Sequence, residues 1–233
     1  MAAMFNTIAP YYDFVNKIGS LGFDGYWRRT LVRSLKKCNP HHVLDIACGT
    51  GVLSWLIYRK LRVEVSGLDI STEMLRLAEM KKRRYKRNGC KEPQYIEGAA
   101  EQLPFPDQSY EAVTVAFGVR NFENRPKALQ HIYRVLKEEG HLYILDFATP
   151  RNRVWKALFH LYFAHILPLL GSIVSGNKSA YRYLPMSVSL FPQYQEFCAE
   201  LSEAGFSGVG FRPLTGGVAV LYTGIRPPLK VAY

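Results

Sequence analysis

Apolar runs of strand length alternate along this chain with segments of helical period, and that alternation admits few folds. Val43–Ala47, Val63–Asp69, Gln94–Glu97, Tyr110–Phe117 and His141–Phe147 read as five strands. Helical patterns lie before them at Asp24–Lys37, between them at Val52–Lys60, after Ser71 and at Pro126–Lys137, and after them at Gln193–Ala204. In the third of these, Ser71 has the chemistry of an N-cap, and Met74, Leu75 and Ala78 share the inward face. Phe206–Pro213 and Val218–Ile225 close the chain as two strands joined through Gly216-Gly217, the pattern of an antiparallel hairpin. The expectation is an α/β fold with a mostly parallel, seven-stranded, doubly wound sheet ending in that hairpin. No linker rich in Pro, Ser or Gly divides the 233 residues, so one domain covers residues 1–233. Residues 151–182 interrupt the alternation and read as a helical lid over a substrate.

The sharpest local signal is Val43-Leu-Asp-Ile-Ala-Cys-Gly-Thr-Gly51. A buried strand runs into a turn whose glycines permit positive φ and close approach of a ligand to the backbone. The amides and positive end of the next helix then face the crevice at the carboxyl end of the strand. A dinucleotide fingerprint would continue to a third glycine, but Ser54 stands there. Asp69 ends the second strand about 20 residues after the loop, where a carboxylate accepts hydrogen bonds from both hydroxyls of a ribose. Either feature alone also fits an ordinary capped turn; the spacing of the two together points to a nucleoside.

The formal net charge of +11 favours an anionic partner, whether nucleic acid, a negative membrane surface or an acidic substrate, and it equally fits a basic surface kept for solubility. Aromatic residues do not interleave with a basic stripe, so nucleic acid is not expected. Four cysteines form neither a CxxC pair nor a cluster at metal spacing. That gives no metal site and no disulfide framework, and it fits a reducing compartment. The N-terminus lacks the charged and apolar regions of a signal peptide, so a cytoplasmic protein is expected. Val154–Val174 is apolar and nearly span-long, yet it carries Lys156, His160, His165 and Pro168. Such groups are costly in hydrocarbon, which favours an amphipathic segment that packs on the domain or touches a membrane surface.

The Asp45–Gly51 turn resembles that of class I methyltransferases, which use S-adenosyl-L-methionine. The resemblance implies that Asp45 orients the loop near the amino-acid end of that cofactor and that Gly49, Thr50 and Gly51 cradle it. From about Phe5 to Ile225 the chain is similar to the C-methyltransferase family of menaquinone and ubiquinone biosynthesis. The likeness rests on Phe5-Asn-Thr-Ile-Ala-Pro-Tyr-Tyr-Asp13, Asn16, Ser20–Trp27 with Arg28, and Ala116-Phe-Gly-Val-Arg-Asn-Phe122. Gly171-Ser172, Ser179-Ala-Tyr-Arg-Tyr-Leu184 and Thr215-Gly-Gly-Val-Ala-Val220 are its more specific parts. It implies cofactor contacts at Thr50, Asp69, Ala99, Ala100 and Ala116. At the position of Ala99 the family commonly has Asp or Asn facing the adenine amino group, and a methyl side chain cannot accept that bond.

The family resemblance further implies a polyprenyl quinol substrate methylated on a ring carbon, demethylmenaquinol first and 2-polyprenyl-6-methoxy-1,4-benzoquinol as the alternative; a methyltransferase acting on oxygen or nitrogen of another small molecule would keep the loop and Asp69 without needing Arg120-Asn121. Deprotonating a hydroquinone hydroxyl pushes electron density onto the attacking carbon. By resemblance, Arg120 and Asn121 form the catalytic pair, with Arg120 positioning a water and stabilising the phenolate and Asn121 fixing the ring oxygen. Alternatively Arg120 caps a neighbouring helix or pairs with Glu123. Tyr12 and Tyr181 are candidates to bind the quinol, and equally candidates for simple packing. A bilayer-borne substrate calls for peripheral contact with the inner face of the membrane, through Trp155–Phe163 and the basic run from Lys81 to Arg87. A homodimer stays open as the assembly.

Overall fold

The strand His42–Ile46 (β1) is buried from its second residue onward, as a central parallel strand covered on both faces must be. Glu64–Asp69 (β2) pairs with it in parallel on one side, Val65 against Val43. Tyr110–Ala116 (β4) pairs in parallel on the other side, Ala112 against Val43. Gln94–Glu97 (β3) adds to β2, and Leu136–Phe147 (β5) adds to β4, both in parallel. Ala219–Ile225 (β7) runs antiparallel between β5 and Ser207–Leu214 (β6). The order β3-β2-β1-β4-β5-β7-β6 gives the seven strands and closing hairpin that the alternation implies. The computed structural model describes residues 6, 7, 9, 12–84, 91–162 and 185–229.

The chain winds outward from β1 through β2 and β3, then crosses back to β4 and winds the other way. The carboxyl ends of β1 and β4 therefore sit at the switch point, where a crevice opens in such sheets. Helices Tyr12–Gly19 (α1), Asp24–Leu35 (α2), Val52–Leu61 (α3) and Thr72–Arg84 (α4) precede the crossing, and Arg125–Val135 (α5) joins β4 to β5. Arg153–Leu161 (α6) and Gln195–Glu203 (α7) follow β5. Two apolar clusters cover the two faces of the sheet. Trp27, Leu31 and Leu35 of α2 pack with Val43, Phe117 and Phe147 on one side; Ile132, Phe197 and Tyr222 pack with Leu44, Val113 and Ile144 on the other.

Element boundaries differ from the sequence expectation at one instructive place. The helix expected to run to Lys137 stops at Val135, and the strand expected from His141 begins at Leu136. Leu136 is fully buried and pairs with Tyr110, which is worth more than another residue of helix. A register shift between Tyr110 and Ala112, with Glu139 at φ 58°, absorbs the polar residues of the turn inside the strand. Ser71 caps α4 as its chemistry implies, accepting the Met74 N–H at 3.2 Å, and Met74, Leu75 and Ala78 are buried. In the expected lid, Asn152 caps α6 by accepting the Val154 and Trp155 N–H groups. Tyr181 lies outside the described residues.

Candidate functional site

A cavity of about 330 Å³ opens at the carboxyl ends of β1 to β4, within the range of small-molecule sites. Its floor is Ile46, Ala47 and Gly49 after β1; Leu68, Asp69 and Ile70 after β2; and Gly98, Ala99 and Ala100 after β3. Phe117, Gly118 and the turn Asn121–Glu123 after β4 complete it. Ala47 and Phe117, the residues leaving the two central strands, hold φ of 53° and 62°. Left-handed backbone at non-glycine residues is strained and clusters at functional sites. The two strand ends also touch: a Cβ on Gly118 would lie 2.4 Å from that of Ala47.

The loop after β1 has the geometry its glycines allow. Gly49 and Gly51 have φ of 56° and 74°, and a Cβ on Gly51 would meet the Tyr95 hydroxyl at 2.3 Å. Gly51 stands at the cap position of α3, so the first amides of that helix open toward the cavity side of the loop. Asp69 ties loop to strand, its Oδ2 accepting the Gly49 N–H at 2.7 Å and its Oδ1 the Ser71 N–H at 2.9 Å. Burial pushes its carboxyl above the ordinary range, against the pull of those backbone donors. Each carboxylate oxygen still has a lone pair for a further donor.

Asp45 is buried one turn deeper. The Ser54 hydroxyl donates to Oδ2 at 2.6 Å and the Thr114 hydroxyl to Oδ1 at 2.9 Å. Burial raises its pKa to about 6, with those two bonds and the charge of Arg28 acting against the rise. Asp45 lines a small polar recess beside the main cavity, together with Tyr12, Asp13, Arg28, Thr50 and Ala116. The two spaces share Tyr12, Ala47 and Gly49, so the recess is an annex of the cavity.

The N-terminal segment roofs this end of the site. The Thr50 hydroxyl donates to Asp13 at 2.6 Å, and Lys81 donates to Thr50 Oγ1 at 2.8 Å while pairing with Asp13. Lys81, first of the expected basic run, is thereby turned onto the Gly49–Gly51 loop. The Ser71 hydroxyl donates to Asn6 at 2.6 Å. Tyr12 lies over Gly49, and burial raises its pKa, opposed by a hydrogen bond with Asn16 and the charge of Arg120. At working pH its hydroxyl is a proton donor.

Arg120 and Asn121 part company. Asn121 lines the cavity, whereas the guanidinium of Arg120 is turned to the end of β5. There it pairs with Asp146, which is fully buried, and donates to the Phe117 carbonyl at 2.8 Å. Its guanidinium carbon stands 5.5 Å from the Phe147 ring centre. Arg120 thus neither caps a helix nor pairs with Glu123. Burial raises the Asp146 carboxyl, and the Arg120 charge acts most strongly against that.

Ala99 and Ala100 line the cavity, and Ala116 lines the recess. The acidic lining was not foreseen. Asp69, Glu101 and Glu123 face the cavity, with no lysine or arginine among its described lining residues. In a chain of charge +11 this selects a cationic ligand. Glu101 also accepts the Glu123 and Asn124 N–H groups at 2.8 and 3.2 Å, which fixes the turn bearing Asn121. The one sequence signal for Asp146 was a lone carboxylate closing the apolar run Leu142–Phe147.

A family model described as the ubiE/COQ5 methyltransferase family matches residues 1–226. The demethylmenaquinone methyltransferase of Thermus thermophilus is 42% identical over 225 residues, covering 96% of this chain and all of that protein. The ubiquinone/menaquinone biosynthesis C-methyltransferase UbiE of Geotalea daltonii is 40% identical over 223 residues, 95% of this chain and 94% of that one. Among solved structures, a SAM-dependent methyltransferase from Aquifex aeolicus superposes with a TM-score of 0.59 at 18% identity, over 83% of this chain and 88% of that chain. The fold is that of Rossmann-like methyltransferases, and the chain belongs to the ubiE/COQ5 methyltransferase family.

Proposed function

We propose that the protein methylates a ring carbon of a polyprenyl quinol, converting demethylmenaquinol to menaquinol with S-adenosylmethionine as methyl donor. The observation that carries this is the end-to-end 42% identity with a demethylmenaquinone methyltransferase. The residues present fit the donor. An acidic cavity suits a sulfonium cation, Asp69 retains acceptor capacity for ribose hydroxyls, and Gly49, at φ 56°, brings bare backbone to the cavity wall. S-adenosylmethionine supplies an electrophilic methyl group, so the protein's work is alignment, exclusion of water and proton handling.

For that work, Tyr12 and Asn121 border the cavity from opposite elements and are the groups to hold the quinol oxygens. Tyr12, kept protonated by burial, donates to a ring oxygen. Arg120 is permanently charged and cannot itself accept the hydroxyl proton. Its charge lowers the cost of the phenolate, and the released proton passes to bulk water. Asp146 fixes the guanidinium for that role. Membrane contact belongs to the same reading. Val154, Trp155, Leu158 and Leu161 of α6 are exposed beside Arg151, Arg153 and Lys156, a mixture suited to an anionic lipid surface. No helix among the described residues is long and apolar enough to cross a membrane.

The test is incubation with labelled S-adenosylmethionine and anionic vesicles carrying demethylmenaquinol or 2-polyprenyl-6-methoxy-1,4-benzoquinol, with products read by mass. Transfer to the naphthoquinol ring and flotation of the protein with the vesicles are expected. Transfer to the benzoquinol alone moves the substrate assignment, and transfer to neither refutes it.

A further inference from the structure

Four cations converge on a hollow that the methyl-transfer chemistry leaves unused. A cavity of about 220 Å³ lies between α2 and α3, rimmed by Arg29, Arg33 and Lys36 at the end of the first helix and by Lys60 of the second. Its floor is aliphatic, made by Val32, Leu56 and Leu61. No acidic side chain is among its described lining residues, and none of the four cations makes an ion pair or a side-chain hydrogen bond among the described residues. Elsewhere on the surface Arg76, Lys82, Arg125, Arg134 and Lys137 each have an acidic partner. Arg29, Arg33 and Lys36 stand four and three residues apart on one helix face, where like charges repel. The carboxyl ends of α2 and α3 point here and offset only about half a charge each, which leaves a positive excess.

A cationic rim over an aliphatic floor is complementary to an anionic amphiphile. Guanidinium forks match phosphate oxygens, while Val32, Leu56 and Leu61 offer apolar contact to the carbons beside them. A nucleic acid would instead call for aromatic rings on which bases stack. The exposed face of α2 also leads from the hollow toward the apolar surface of α6. It continues through Tyr26 to Phe23, and Phe23 borders a groove shared with Trp155 and Leu158. At 1.5 Å per residue, Lys36 stands about 15 Å along the helix from Tyr26. We propose that this hollow binds the phosphate headgroup of an acidic phospholipid, a second attachment that lays α2 along the bilayer. This rests on the reading that the protein meets a membrane to reach its quinol.

Flotation of the full chain with vesicles of phosphatidylcholine, with and without phosphatidylglycerol, tests this in about 0.15 M salt, where charges beyond about 8 Å are screened. The wild-type protein is expected to float with the acidic vesicles and far less with the neutral ones. Arg29→Gln combined with Arg33→Gln is expected to lower partitioning to acidic vesicles about 30-fold, the effect of two basic residues at an anionic surface. Lys127→Gln combined with Arg212→Gln removes the same charge from α5 and from the edge strand β6, and is expected to stay within about threefold of the wild type. The inference is overturned if the two double variants lose equally, if the first floats as the wild type does, or if the wild type floats equally with neutral vesicles. Inorganic phosphate and a single-stranded oligonucleotide, each at a phosphate concentration equal to that of the lipid, are expected to leave the protein on the vesicles. Displacement by the first makes the occupant a free phosphate and by the second a nucleic acid, and either overturns the lipid assignment. A wild-type protein that floats with neither kind of vesicle overturns the underlying membrane reading instead.

Discussion

Asp45→Asn separates the cost of the site from its function. In the folded chain the Asp45 carboxyl titrates at about 6, against an ordinary value of 3.8, chiefly because burial disfavours its charged form. At 1.36 kcal/mol per pKa unit, keeping it ionised at neutral pH costs about 3 kcal/mol of folding stability. The sign follows from linkage. A carboxyl whose pKa is raised by folding favours the fold fully below pH 3.8, and that contribution is lost as pH rises through about 6. Asparagine has no such loss. Urea unfolding of the two proteins, from about pH 4 to about pH 8, is therefore expected to show the variant gaining on the wild type by about 2.4 kcal/mol as pH rises, with a plateau above about pH 7. Any poor hydrogen-bond fit of the asparagine amide displaces the whole curve and leaves its slope untouched. The raised carboxyls of Asp69 and Asp146 are present in both proteins and drop out of the difference. Cofactor binding supplies the second half of the test. If the ammonium of the methyl donor faces Asp45, as the family resemblance implies, it draws the carboxyl back to its charged form, so binding near pH 6 releases about half a proton in the wild type and none from this site in the variant. A stability difference flat across the pH range refutes the account of Asp45.

Two further substitutions probe neighbouring charges. If Asp69 accepts the ribose hydroxyls as proposed, Asp69→Ala is expected to lower S-adenosylmethionine affinity measured by calorimetry more than about 100-fold while the far-ultraviolet circular dichroism stays native; unchanged affinity excludes Asp69 from the site. Asp146→Asn leaves the Arg120 guanidinium buried without its counter-charge, and urea unfolding is expected to show a loss of about 3–5 kcal/mol; a loss under about 1 kcal/mol means that water reaches Arg120 freely and the pair does not position it.

The sheet was legible because its signal is local. Strand-length apolar runs, glycine turns and the Ser71 cap each act over a few residues, and the order of elements then leaves one economical winding. The strand that begins at Leu136 was misread for the opposite reason. Lys137, Glu138 and Glu139 look like the end of a helix, and only the pairing of Leu136 with Tyr110 across the sheet makes them strand. The site divided in the same way. Asp45, Gly49, Gly51 and Asp69 were visible as a loop with a fixed spacing. The partners that set their chemistry come from distant parts of the chain: Asp13 and Lys81 on Thr50, Thr114 on Asp45, Asp146 on Arg120. No local pattern encodes an ion pair between the ends of two adjacent strands.

The placement of buried charge ties these observations together. The fully or nearly buried ionised residues among those described are Arg28, Asp45, Asp69, Asp146 and Arg226, with Arg120 close behind. Arg226 has a plain structural task, donating to the carbonyls of Tyr133, Arg134 and Leu136 where α5 gives way to β5. The other five gather at the carboxyl ends of β1, β2, β4 and β5 and on the helix that packs over them. A fold selected for stability alone would fill those positions with apolar side chains, since replacing buried ions by well-packed hydrophobes is often neutral or stabilising. Their concentration at one edge of the sheet, beside two non-glycine residues in left-handed backbone, is what a preorganised polar site requires. The same low-dielectric surroundings that raise Asp45 and Asp69 strengthen their attraction for a cation entering the cavity. The cost of these buried carboxylates and their attraction for a cation are therefore one electrostatic property, and a variant that reduces the first weakens the second.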